Sequence, residues 1–344
     1  DGEKLRVETA GVDTLGSGWK FRQSFDFKQD EALYGLGCHM EDFMNLRNKT
    51  LYLVQHNLKA VIPVLVSTNG YGLLFDAGCA MVFNGKEGSL TLEAAHQIDY
   101  YFMSGARLDE VVSAYRMLTG TSPMMPKYLF GYIQSKERYT NQQELVDIVK
   151  EYRTRQIPLD IIVQYWHYWK SGWGGKSLDP ARYPDPKKML DDIHGQNAKL
   201  MISIWPNITD CDESKDMQQR GFMLRNKSVY DAFSPLARKA YWEYADNGLF
   251  HYGVDAWWCD CTEPLDADWN WGRDYDPNDQ QLRYQKNSKI LSALLGNDRT
   301  NIYSLYHSQG IYENQRNTTS AKRVVNLTRS SYAGQQRYAT ITWN

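Results

Sequence analysis

The sequence predicts an α/β protein, a (β/α)8 TIM-type catalytic barrel (here incomplete) preceded by a β-sandwich domain. Three observations carry this. Up to about residue 105, short runs alternate apolar and polar residues between Gly- and Asp-rich turns, as in an all-β sandwich. From residue 127, continuous apolar runs alternate with amphipathic ones, which argues for a parallel sheet covered by helices. Polar and aromatic residues gather at the carboxyl ends of the apolar runs, which favours a barrel over an open doubly wound sheet. The open sheet stays as the alternative, although no Gly-rich phosphate loop follows any strand.

The sandwich strands read in order. Phe21-Arg22-Gln23-Ser24-Phe25-Asp26-Phe27 alternates. Val61 to Ser67 runs into the turn Thr68-Asn69-Gly70, and Tyr71-Gly72-Leu73-Leu74-Phe75 returns; residues 96–103 form another strand. The segment is short for a complete sandwich, so strands are expected to be missing at the amino end. Leu108 to Leu118 has helical spacing and stops at Gly120, and Thr121-Ser122-Pro123-Met124-Met125-Pro126 breaks the pattern. The expected domains are therefore 1–120, a partial sandwich with its linker helix, and 121–344, a barrel with its carboxyl-terminal part missing. Seven barrel strands are expected, at 128–134, 160–166, 199–205, 256–260, 302–306, 324–328 and 339–343. Helices are expected at 141–156, 185–196, 235–251 and 281–295.

Composition narrows the function classes. A net charge of -2 over 344 residues gives no electrostatic case for nucleic acid or an anionic membrane. No apolar run approaches the roughly 20 residues of a membrane span. Asp1-Gly2-Glu3-Lys4 is not a signal peptide. Cys38, Cys79, Cys211, Cys259 and Cys261 are too scattered for a disulfide framework. Cys259 and Cys261 would share one face of a strand and Asp260 the other. No His lies near enough to make that pair a metal site, and burial as small soft side chains is expected.

The stretch from Gly253 to Pro264 concentrates the chemistry. A short aromatic strand, Ala256-Trp257-Trp258-Cys259, ends at Asp260 and Glu263, and Pro264 prevents the ladder from continuing. In a barrel the residues after each strand share one mouth. Here they are Gln134-Ser135-Lys136, then Tyr165-Trp166-His167-Tyr168-Trp169, Trp205-Pro206, Trp258 with Asp260 and Glu263, Tyr306-His307-Ser308, Arg329-Ser330-Ser331 and Trp343. Aromatic walls around a carboxylate and an arginine suit glycosidic bond cleavage at an oxocarbenium-like centre. Trp166, Trp169 and Trp205 can equally be core residues, and His307 reads as a hydrogen-bonded structural histidine rather than a base.

At these residues the chain resembles glycoside hydrolase family 31. The likeness runs through Tyr34-Gly35-Leu36-Gly37 with Asn45-Leu46-Arg47, Tyr115 to Gly120, Met125-Pro126 and Ile157-Pro158-Leu159-Asp160. It continues through Asp179 to Pro186, Ser203-Ile204-Trp205-Pro206, Trp258 to Pro264 and Arg329 to Trp343. The resemblance implies a retaining exo-acting α-glycosidase acting on an oligosaccharide or α-glycoside, with no metal or organic cofactor. Asp260 would be the nucleophile, with Tyr165, Trp166, Trp205, Trp258, Arg329 and Trp343 binding the sugar. The family's acid/base aspartate lies a few residues beyond the tryptophan matching Trp343, so it is expected beyond Asn344 and the chain is expected to be a fragment. The family's α-glucosidases and α-xylosidases usually carry an aspartate where Tyr165 stands, which holds an equatorial 4-hydroxyl. Its replacement makes an α-galactosidase the leading expectation, with α-xylosidase, α-glucosidase and a non-catalytic carbohydrate-binding homologue as alternatives. A transglycosylase differs only in how well water competes for the intermediate. By analogy with such enzymes an exported location, periplasmic or secreted, is expected; the residues specify none.

Overall fold

The fold comes from a computed structural model that describes residues 6–12, 18–265 and 279–343. Nine strands come first: β1 (Arg6–Val12), β2 (Trp19–Ser24), β3 (Leu33–Cys38), β4 (Thr50–Leu53), β5 (Ala60–Ser67), β6 (Tyr71–Phe75), β7 (Met81–Asn84), β8 (Ser89–Ala95) and β9 (Tyr100–Ser104). They form two antiparallel sheets, ordered β1-β2-β8-β7-β4 and β3-β5-β6-β9. Leu33, Leu51, Leu53, Val61, Leu65, Phe83, Leu90 and Leu92 fill one shared core, which makes the pair a sandwich. The turn between β5 and β6 needs Gly70, at φ +78°, where a Cβ would lie 2.5 Å from the Gly105 carbonyl oxygen.

The helix α1 (Leu108–Thr119) follows and ends at Gly120, whose N–H donates to the Arg116 carbonyl. The remaining elements alternate: β10 (Ile133–Gln134), α2 (Gln142–Thr154), β11 (Ile161–Gln164), α3 (Pro186–Gly195), β12 (Lys199–Ile204), α4 (Asp212–Gln219), α5 (Pro235–Gly248), β13 (Ala256–Cys259), α6 (Gln280–Leu295), α7 (Tyr303–Thr318), β14 (Asn326–Thr328) and β15 (Thr340–Thr342). Helix starts are written locally. Asn141, Asp185, Ser234 and Asp279 each accept a first-turn N–H, and Pro186 and Pro235 open their helices. The six strands β10 to β15 pair in parallel in chain order, as a curled, incomplete barrel sheet.

This sheet is apolar on both faces. Ile161, Val163, Met201, Ala256, Val325 and Leu327 form the inner cluster. Ile162, Leu200, Ile202, Ile204, Trp257 and Cys259 pack outward with helix residues such as Val149, Leu190, Ile193 and Tyr241. Burial on both faces is why the strands read as continuous apolar runs.

Several expectations need correction. Residues 302–306 are no strand: Ile302 precedes α7, and Tyr303, His307 and Ile311 form its buried stripe at a spacing of four. Six parallel strands therefore stand where seven were expected. Residues 128–134 are mostly a 3-10 turn (Lys127–Phe130) with a two-residue strand. The strand expected at 96–103 begins only at Tyr100. Helix α4 stands where no helix was expected. Its signal is acidic Asp212 and Glu213 in the first turn, with Ser214 bonding back to Cys211.

Candidate active site

The register of the parallel sheet builds the site. Ile204, Cys259, Thr328 and Thr342 lie in one row across β12 to β15. The residues one step beyond three of them are Asp260, Arg329 and Trp343. Each is two residues past an inner-cluster side chain, namely Trp258, Leu327 and Ile341. Strand alternation therefore turns all three toward the interior. Tyr165 does the same from β11, two residues past Val163.

Asp260 is 1% exposed. Its Oδ1 accepts from the Cys261 N–H at 2.8 Å and lies 3.2 Å from Arg329 Nη1. Its Oδ2 accepts from the Tyr165 hydroxyl. Burial and the adjoining Asp260 charge push the Tyr165 phenol far above its usual range, so it remains a neutral donor. The Tyr165 ring meets Trp258 edge-on at 5.5 Å, and Trp258 contacts Trp343 at 4.7 Å. Tyr165, Trp258, Arg329 and Trp343 are thus brought into one aromatic and charged group around Asp260.

Arg329 is 7% exposed and bridges two carboxylates. Its Nε and Nη2 donate to Glu263 at 2.7 and 3.2 Å, and Nη2 also reaches Cys261 Sγ at 3.0 Å. Burial alone would pull the guanidinium down, but Glu263, Cys261 and Asp260 together raise it further. Arg329 is therefore a buried ion-pair residue and not a surface one. Glu263 is itself 1% exposed and committed to Arg329.

The backbone beyond β13 departs from the expected strand. Cys261 sits at φ +53°, which swings the chain out of the sheet, so Cys259 and Cys261 do not share a face. Thr262 then bonds Thr328 and the Ser330 N–H, tying this loop to the one after β14. Ser330 in turn donates to Gln55 of the sandwich at 3.0 Å, and Gln55 Nε2 donates to the Ser331 carbonyl at 2.7 Å. Gln55 is buried and carried no sequence signal.

Trp166 and Trp205 form a second aromatic group. Trp173 lies 5.8 Å from Trp166, 4.8 Å from Trp169 and 5.2 Å from Trp205. Trp205 Nε1 donates to Ser203 Oγ. Tyr306-His307-Ser308 is removed from the strand-end set, because it lies inside α7. His307 is fully buried, bonded to the Tyr230 hydroxyl, and pushed down to about 3 by burial, as suits a neutral structural histidine. Among the described residues no three His, Cys, Asp or Glu side chains gather as a metal site, and no helix is long and apolar enough to cross a membrane.

Comparison with known proteins matches this geometry to a family. The profile of the "Glycosyl hydrolases family 31 TIM-barrel domain" matches residues 122–344. An α-xylosidase of Saccharolobus solfataricus is 37% identical over 95% of this chain and 45% of its own length. A family 31 glucosidase of Pseudescherichia vulneris, described as uncharacterized, is 29% identical over 96% of this chain and 62% of its own. Among solved structures, a GH31 α-xylosidase from a soil metagenome, complexed with xylose, superposes with a TM-score of 0.85 at 28% identity, covering 98% of this chain and 49% of that one. The chain spans about half the length of the relatives it matches. With its parallel strands, its buried strand-end aspartate and most of its length matched, the chain belongs to glycoside hydrolase family 31.

Proposed function

We propose that the protein acts as a retaining, exo-acting α-glycosidase that removes terminal α-xylosyl units, with α-glucosyl units as the second choice. The observation that carries this is the Asp260 carboxylate, buried at the end of β13 and held by three donors, one of them the Tyr165 hydroxyl whose ring packs on Trp258. In the proposed reaction Asp260 attacks the anomeric carbon while the glycosidic bond breaks, and the leaving oxygen takes a proton from the acid. Water then attacks the glycosyl-enzyme and the carboxylate departs. Glu263 is not the acid in this scheme, since both its oxygens serve Arg329. No described residue is assigned the role of the acid. Arg329 Nη1, the one nitrogen not given to Glu263, lies against Asp260 Oδ1 and pairs with the carboxylate charge. The Trp258 indole N–H, buried and without a partner among the described residues, is a donor for a sugar hydroxyl.

The substrate reading rests on two supports. The named relatives are α-xylosidases and a glucosidase, and none of those named is an α-galactosidase. Xylose also lacks the exocyclic hydroxymethyl group, which suits a wall formed by the large Tyr165 ring. The galactoside preference expected from Tyr165 therefore ranks behind both.

The test is intact-mass analysis of the full-length protein after exposure to 5-fluoro-α-xylosyl, -glucosyl and -galactosyl fluorides, beside hydrolysis of the three nitrophenyl α-glycosides. One added xylosyl unit, lost in Asp260→Ala, is expected. Fastest turnover of the galactoside would overturn the substrate reading. No label and no turnover with any of the three would favour a carbohydrate-binding homologue, and transfer products in place of free sugar a transglycosylase.

A further inference from the structure

The two oxygens of Asp260 are held unequally. Oδ1 is fixed by a backbone N–H at 2.8 Å and by Arg329 Nη1, and that guanidinium is itself pinned to Glu263 by two bonds. Neither donor can leave without moving the main chain or breaking a buried ion pair. Among the described residues Oδ2 has one donor, the Tyr165 hydroxyl, whose proton turns about a single C–O bond. Burial beside the carboxylate keeps that hydroxyl protonated, and the ring is braced edge-on against Trp258.

From this asymmetry we infer that Tyr165 is a positioning residue for the nucleophile, presenting Oδ2 as the attacking oxygen and favouring its departure from the glycosyl-enzyme. The inference rests on the proposed retaining reaction and deepens it. In the first step a bond forms from Oδ2 to the anomeric carbon as the bond to the leaving oxygen breaks. In the second a water oxygen bonds that carbon, the Oδ2 bond breaks, and its electron pair returns to the carboxylate. A phenol donor binds a charged carboxylate far better than an ester oxygen. It therefore costs a little in the attack and helps the release, where negative charge regrows on Oδ2.

Tyr165→Phe keeps the ring and removes only the hydroxyl. In the full-length enzyme, kcat and KM should fall together by about tenfold, the size of one hydrogen bond to a charged group. The glycosyl-enzyme should accumulate, seen as a pre-steady-state burst and as labelled mass during turnover. A role confined to packing would lower Tm without that split. Unchanged kcat and KM, or a raised KM with no burst, would overturn the inference. A second measurement does not depend on turnover. The carboxyl carbon of Asp260, assigned in 13C-aspartate-labelled protein by its loss in Asp260→Asn, should change chemical shift at neutral pH in Tyr165→Phe. An unchanged resonance would overturn the inference even where no sugar is cleaved, while a moved resonance without any labelling would fault the proposed reaction and not the contact.

Discussion

Arg329 grips Glu263 with two nitrogens, Nε at 2.7 Å from Oε1 and Nη2 at 3.2 Å from Oε2, and both residues are almost wholly buried. Removing one member of such a pair leaves an uncompensated buried charge, which typically costs about 3–5 kcal/mol. Glu263→Ala should fall near the low end, because Asp260 still faces Arg329. The urea midpoint should drop accordingly. Glu263→Gln, which keeps one acceptor oxygen, should lose less.

Asp255 anchors the opposite end of the barrel. Burial pushes its carboxyl up, but the His194 hydrogen bond at 2.7 Å and the Lys322 charge outweigh this, so it ends below its ordinary value of 3.8. A carboxyl depressed in the folded state stabilises above its unfolded value, and that stability disappears as pH falls through the lower folded value. Wild-type protein should lose stability below about pH 4 more steeply than Asp255→Asn. Urea midpoints between pH 5 and pH 2.5 would show the difference in slope.

Lys176 gives the reverse case. It is fully buried, donates to the Trp205 carbonyl at 3.2 Å and lies 4.6 Å from the centre of the Tyr241 ring. Burial pulls it down to about 8 from 10.5. The unfolded chain binds the proton more tightly than the folded one, so stability should rise as pH increases from 8 toward 10.5, by at most about 3 kcal/mol. In Lys176→Met this rise should be absent. The difference between the two proteins isolates Lys176 from tyrosines titrating in the same range.

Close packing behind the site yields a fourth expectation. A Cβ at Gly248, the last residue of α5, would lie 1.7 Å from the Lys176 carbonyl oxygen. Gly248→Ala must push helix and loop apart, and should lower Tm by many degrees, corresponding to several kcal/mol. At Gly195 in α3 nothing lies within 4 Å of a Cβ. Gly195→Ala should be neutral or stabilise by about 0.5–1 kcal/mol.

What the sequence disclosed follows from how local each signal is. The central parallel strands were legible because both faces are buried, so residues 161–163, 200–202 and 256–259 are continuous apolar runs. The convergence of Asp260, Arg329, Tyr165, Trp258 and Trp343 was legible because strand ends meet in a barrel sheet. Residues 302–306 resemble a strand because Ile302, Tyr303 and Tyr306 favour strands, and the helical stripe through Tyr303, His307 and Ile311 appears only over a longer window. Asp260 and Glu263 read as one acidic pair. Their division of labour depends on the positive φ of Cys261 and on an arginine from another strand. Gln55 was invisible, since a buried glutamine in a sandwich run looks like any solvated one.

Gln55 has a wider consequence. Its side chain and backbone join β5, Asn301, Ser330 and Ser331 in one buried network. The loop that carries Arg329 is thereby braced by a residue far earlier in the chain. The sandwich and the barrel sheet are consequently poor modules for recombination. A chimaera that took its first hundred residues from one homologue and its barrel from another would inherit a glutamine and its receptors from different parents, and the misfit would surface next to Asp260.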